Sequence, residues 1–167
     1  SRNKKRHKTV EKFKSSLEEN LNFLLSSYLA GTFETSRYSY FVIHEPKERI
    51  ISRLPYPDHV FHWAILNIIE DYFTRSFTLY TYGGIKGRGP HGYMRGIKNA
   101  LREHPDKTKY FLKMDVTKFY PSVSHESVKE LLARKIKDGH LLDVINGIIE
   151  SVEGDIGLPI GTKLSQF

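Results

Sequence analysis

The amino-acid sequence predicts an α+β fold that is mostly helical, and three observations lead there. Apolar residues recur at helical spacing over most of the chain. Two short runs rich in β-branched and aromatic residues flank a proline-containing turn. A third apolar run, Tyr110 to Met114, has the length and composition of a buried strand and ends on a carboxylate, Asp115.

Between about Lys8 and Ala30 the residues Phe13, Leu17, Leu21, Leu24, Leu25 and Tyr28 keep the spacing of one helix face, and Gly31 is a natural stop. YSYFVIHE (38–45) and RIISRLP (49–55) lie on either side of EPKE, which predicts a hairpin with a basic tip. A long helix opens at Asp58. Val60, Ala64, Ile68 and Tyr72 form one row along it and Phe61, Ile65, Ile69 and Phe73 the next, a stripe wide enough to predict deep packing. YGGIKGRGPHG (82–92) is a flexible, glycine-rich loop carrying Lys86 and Arg88, and its glycines match neither GxGxxG nor a P-loop. A helix from about Pro90 to Glu103 leads into the Tyr110 strand. Ser124 is placed to cap a helix that turns Val128, Leu131, Leu132 and Ile136 inward, and Gly139 is expected to stop it. A last helix over about 140–152 precedes the loop GDIGLPIGTKLSQF. Nothing in the pattern marks a repeat, a low-complexity segment or a domain boundary.

Composition bounds the function. A chain of 167 residues with 39% hydrophobic content has the length and core of about one domain. Twenty-six Lys and Arg against 19 Asp and Glu give a net charge of +7, which favours a polyanionic partner, either nucleic acid or an acidic membrane surface. No apolar run approaches the roughly 18 residues of a membrane span, so the expectation is a soluble, cytoplasmic protein. Cysteine is absent, which excludes a disulfide framework and a Cys-based zinc site. The eight His show no HExxH spacing. The basic cluster Arg2, Lys4, Lys5, Arg6 and Lys8 reads as a solvated end or a phosphate-binding arm. The opening without Met and the ending at SQF suggest a fragment. A lone Asp after a strand is most simply a turn cap, so Asp115 needs support from elsewhere in the chain.

That support comes from four segments in order. FVIHEPKERIISRLPYPDHVFHWAILNIIEDYF, YTYGGIKGRGPHG, KYFLKMDVTKFYPSV and GLPIGTKLSQF together resemble the amino-terminal half of a bacterial reverse transcriptase, over nearly the whole chain from Leu21 onward. They look like the fingers hairpin with its following helix, the glycine-rich fingers loop, the first catalytic palm motif and the glycine-serine motif. The resemblance implies a right-hand polymerase fold, with fingers over about 8–107 and the first part of the palm over about 108–167. The implied activity is RNA-directed DNA synthesis on an RNA template, from a DNA or RNA primer, with deoxynucleoside triphosphates. Such chemistry is two-metal phosphoryl transfer, and Mg2+ or Mn2+ prefers oxygen ligands.

The same resemblance implies roles for single residues. Asp115 binds both metal ions and the backbone carbonyl of Val116 assists. Tyr120, at the steric-gate position, excludes a ribose 2′-hydroxyl. Lys47 and Arg49 reach over the triphosphate, with Arg53 a further phosphate ligand to consider. Ile160 and Gly161 meet the incoming nucleotide, and Ser165 and Gln166 the nucleic acid. Lys86 and Arg88 track the template backbone, with Tyr82 or His91 stacking on bases. Three departures stand out. The chain holds no Asp-Asp, so the family's Y-x-D-D pair is expected beyond Phe167 and the fragment alone is expected to be inactive. IGTKLSQ, in place of the commoner QGxxxSP, is the form typical of the reverse transcriptases of diversity-generating retroelements and some close bacterial lineages, a branch related to group II intron and retron enzymes. Isoleucine there offers no oriented donor to the nascent pair, which implies an error-prone polymerase. DHV at 58–60 replaces DRV. Two other readings share these residues: a non-catalytic nucleic-acid-binding module, and a defence-system relative that polymerises without a template.

Overall fold

The computed structural model describes residues 8–166, so Arg2, Lys4, Lys5 and Arg6 of the basic cluster lie outside the described residues. The chain forms two compact units. One takes the chain up to Ile65 and again from Lys118 to Gln166, and the other runs from Leu66 to Thr117.

The first unit opens with α1 (Lys8–Ser15) and α2 (Leu17–Leu29) rather than one continuous helix. Ser16 leaves the helical region at φ −125°, ψ 51°, and the Asn20 side chain donates to Phe13 O across the break at 2.9 Å. The break changes which side chains face inward. Val10, Phe13 and Leu24 are buried, whereas Leu17, Leu21 and Leu25 of the expected stripe are exposed. The hairpin forms as expected, with β1 (Ser39–Ile43) antiparallel to β2 (Arg49–Arg53) and a register running from Ser39↔Arg53 to Ile43↔Arg49. Alternation puts Ser39, Phe41, Ile51 and Arg53 on one face and Tyr40, Val42, Ile50 and Ser52 on the other.

Helix α3 (Tyr56–Thr74) starts two residues earlier than the sequence suggested, so Asp58 sits in its first turn. The buried Asp58 accepts from Ser36 N at 2.8 Å and Ser36 Oγ at 3.0 Å, tying the segment before the hairpin to the helix. Of the wide stripe only one side is covered. Phe61, His62, Ile65, Leu66 and Ile69 are buried, while Ile68 and Tyr72 are exposed. Phe33 stacks on Phe61 with ring centroids 3.6 Å apart, and Phe13 meets Tyr56 edge-on at 5.3 Å. Further along, α5 (Phe119–Ser122) is a single turn, followed by α6 (His125–Lys135) and α7 (Gly139–Glu150). Ser124 caps α6 as expected, accepting from Ser127 N. Gly139 does not end α6; it opens α7, for which Asp138 is the cap, accepting from Leu141 N at 2.8 Å. A capping carboxylate one residue before the glycine outweighs the glycine's stop signal. Leu141, Val144, Ile145, Ile148 and Ile149 of α7 are buried.

In the second unit α4 (Pro90–Glu103) matches the expected bounds. The expected strand at Tyr110–Met114 does not form. Residues 110–116 carry no regular structure, and Tyr110, Phe111, Leu112 and Met114 are 93%, 93%, 80% and 81% exposed. Strand composition does not suffice without a neighbouring strand to take up the backbone N–H and C=O groups, and among the described residues none pairs here.

Candidate functional site

Three segments far apart in sequence meet in the first unit. Ser52 N, on the edge of β2 not used by β1, donates to Ile160 O at 2.7 Å. Leu158 N donates to Tyr120 O at 2.8 Å, and Gly157 N to Val123 O at 2.7 Å. The 157–165 loop therefore bridges the hairpin and the one-turn helix α5, and it brings Tyr120, Ile160 and Gly161 into one backbone-bonded assembly.

The sequence provides for each of these bonds. Gly161 has φ +124°, and a Cβ there would lie 2.5 Å from Ser52 O and 2.9 Å from Ile51 Cγ2. Only glycine lets the loop approach the strand so closely. Thr162, 1% exposed, donates through Oγ1 to Ser165 Oγ at 2.8 Å, and Ser165 Oγ donates to Pro159 O at 2.6 Å. The Ser165 hydroxyl thus holds the loop's own shape. Gln166 closes a short 3-10 turn, Leu164–Gln166. Lys163 extends its ammonium to 5.9 Å from the centre of the Trp63 ring on α3. Tyr120 is half-buried and meets Phe119 edge-on at 5.5 Å. Lys118, just before α5, takes a left-handed conformation at φ 50°.

At the hairpin tip Lys47 and Arg49 are exposed, and among the described residues no carboxylate pairs with either. His44 and Glu48 pair across the same turn at 3.5 Å. Beneath the strands, the Tyr38 hydroxyl shares a hydrogen bond with Ser151 Oγ at 3.2 Å. Burial raises the Tyr38 pKa above its ordinary value, against the lowering effect of that hydrogen bond. His62 is 1% exposed and has no hydrogen-bond partner on either ring nitrogen among the described residues. Burial lowers its pKa to about 4, against an opposing pull from Asp58.

The second unit uses part of its glycine-rich loop internally. The Arg88 guanidinium donates to Thr78 O at 2.9 Å and Thr81 O at 3.1 Å, so it folds the loop onto itself. Tyr82 lies against α4 over Gly92 and Gly96, where an added Cβ would meet its ring at 3.3 Å and its hydroxyl at 2.9 Å respectively. Tyr93 meets the same ring edge-on at 5.9 Å. Lys86 and His91 remain exposed. Asp115 and Val116 are exposed within the irregular 110–116 segment. Among the described residues no group of three or more His, Cys, Asp or Glu side chains comes together, so Asp115 offers one carboxylate and no assembled divalent site.

Comparison with known proteins finds no matching family model. Over 96 residues the chain is 30% identical to nuclear intron maturase 1, mitochondrial, of Arabidopsis thaliana. That stretch is 58% of this chain and 12% of the maturase. The similarity supports a distant, reverse-transcriptase-like relationship. No helix among the described residues is long and apolar enough to cross a membrane.

Proposed function

We propose that the chain is the fingers and first palm portion of an RNA-directed DNA polymerase of the reverse transcriptase type. The observation that carries this reading is the bonding of Ser52 to Ile160 and of Leu158 to Tyr120, because it unites three motifs that nucleotide addition requires side by side. The distant likeness to a maturase supports the same relationship.

On this reading a primer 3′-hydroxyl attacks the α-phosphorus of a deoxynucleoside triphosphate opposite an RNA template, and pyrophosphate leaves. Divalent Mg2+ or Mn2+ supplies charge neutralisation when bound. The described residues contribute only Asp115, with the Val116 carbonyl, to holding those ions, so the reading requires further carboxylates that the described residues do not assemble. The chain's own contribution is positioning. Lys47 and Arg49 meet phosphate oxygens, the half-buried Tyr120 ring closes the space beside the sugar, and Ile160 and Gly161 line the base-pair side. Isoleucine at 160 favours the diversity-generating branch and an error-prone product. The second reading, a binding module, is favoured by that single exposed carboxylate.

Primer extension by a longer protein that contains this chain separates the two. The expected result is extension that Asp115→Asn abolishes while RNA binding and circular dichroism stay unchanged. Extension that survives the substitution returns Asp115 to the role of a turn residue. Absence of extension in the unsubstituted longer protein favours the binding module.

A further inference from the structure

The stretch from α5 into α6 and the turn before the 157–165 loop are stitched together inside the first unit. His125 N donates to Asp155 O at 3.0 Å, Gly157 N to Val123 O at 2.7 Å and Leu158 N to Tyr120 O at 2.8 Å. All of these are backbone bonds, open to many sequences. The His125 side chain adds a bond that depends on its identity, because its Nε2 lies 2.7 Å from Gly157 O. A carbonyl oxygen only accepts, so Nε2 carries a proton and donates it. The ring is 5% exposed, which leaves little room for water to stand in for that donor. Gly157 itself sits at φ +103°, a conformation that favours glycine.

We propose that His125 is a positioning residue that sets where Ile160 and Gly161 lie relative to Tyr120, and through them the affinity for an incoming nucleotide. The carbonyl of Gly157 and the N–H of Leu158 belong to one planar peptide unit. Its oxygen is held by the His125 ring and its N–H holds Tyr120 O, so the imidazole clamps the very peptide that ties the loop to α5. Without the ring donor that peptide is free to rotate, and the bond to Tyr120 turns with it. The next anchor downstream is Ile160 O on Ser52 N, because the bond from Ser165 Oγ to Pro159 O lies within the loop and moves with it. A tilt at Gly157 therefore reaches Ile160 and Gly161 within a few residues. Asp115 belongs to the other unit, so the expected loss falls on nucleotide binding and not on the chemical step. The nucleotide part of this inference rests on the proposed function; the positioning of the loop by His125 does not.

The test compares His125→Leu, which keeps bulk and removes the donor, with His125→Gln, whose amide N–H takes the place of Nε2–H. Trp63 is the chain's one tryptophan, and Lys163 of the same loop extends its ammonium to 5.9 Å from that ring, so acrylamide quenching of Trp63 fluorescence in this chain reports the loop's position. The quenching constant is expected to rise in His125→Leu and to return toward the parent in His125→Gln, with circular dichroism unchanged in both. In primer extension by the longer protein, His125→Leu should raise KM for a deoxynucleoside triphosphate about five- to tenfold with kcat little changed, and His125→Gln should recover most of it. Should His125→Leu lose its circular dichroism spectrum, His125→Asn, whose amide is too short to reach Gly157 O, takes its place. A lower urea midpoint with unchanged quenching and unchanged KM gives His125 a stabilising role alone and overturns the inference. So does a fall in kcat at constant KM, or an equal defect in the glutamine variant. A longer protein that extends no primer counts against the proposed function alone, and the quenching comparison still decides whether His125 positions the loop.

Discussion

His62 makes stability a function of pH in a window set by its burial. The imidazole is 1% exposed on α3, with both ring nitrogens unpartnered among the described residues. Burial disfavours its charged form and lowers its pKa from 6.5 to about 4, and the nearby Asp58 offsets only part of that. A drop of that size corresponds to about 3 kcal/mol at 1.36 kcal/mol per unit. Because the folded pKa lies below the unfolded one, the unfolded chain takes up this proton first as the pH falls. The unfolding free energy contributed here is intact above about pH 6.5 and drains away toward about pH 4, at up to about 1.4 kcal/mol per pH unit. His62→Leu removes the proton site, keeps an apolar side chain of similar size and relieves the unpaired nitrogens. Urea unfolding followed by circular dichroism at several pH values should show the two proteins diverging, with the variant gaining about 3 kcal/mol on the parent by about pH 4. Other titrating groups are common to both and cancel in the difference. Parallel pH profiles, or a His62 C2–H resonance that titrates near 6.5, would refute the reasoning.

Three further outcomes follow from the same packing. Gly161→Ala forces Cβ within 2.5 Å of Ser52 O at a positive φ, so the loop must lift from β2; the expected loss is about 1–3 kcal/mol in denaturant unfolding. Asp58→Ala leaves Ser36 N and Oγ without their acceptor and is expected to cost about 1–3 kcal/mol, measured as a lower urea midpoint at unchanged m-value. On the proposed reading, Tyr120→Ala in the longer protein opens the space its half-buried ring fills, and the ratio of kcat/KM for a deoxynucleotide to that for its ribonucleotide should fall; a constant ratio would leave Tyr120 as a core aromatic.

Legibility in the sequence followed the range of the forces involved. The hairpin and α4 were readable within a residue or two because turn chemistry and periodicity are local, and the Ser124 cap needs only a hydroxyl three residues before its partner. The interruption at Ser16 was not readable, since Leu17, Leu21 and Leu25 continue the apolar spacing straight across it and only the packing shows which leucines are covered. Gly139 carried two compatible signals, stop and start, and the adjacent Asp138 decided between them. In the site, Gly161 stood out only as part of a motif. Its physical reason, the close approach to Ser52 O, depends on a strand more than a hundred residues earlier.

Tyr110–Met114 is where composition and backbone give different answers, and the difference bears on the chemistry. An apolar run expresses a demand for burial, and a strand expresses a demand for hydrogen-bond partners; neither demand is met among the described residues. Burying a large apolar side chain is worth roughly 1.5–3 kcal/mol, so four such residues hold a considerable driving force for any sheet that would accept them. On the proposed reading, the strands that pair with this segment are the ones that carry the missing carboxylates. The same pairing that covers Tyr110, Phe111, Leu112 and Met114 then fixes Asp115 at a strand end beside those acids. Sheet closure and metal-site assembly become one cooperative event, and Asp115 remains a solvated carboxylate until it occurs.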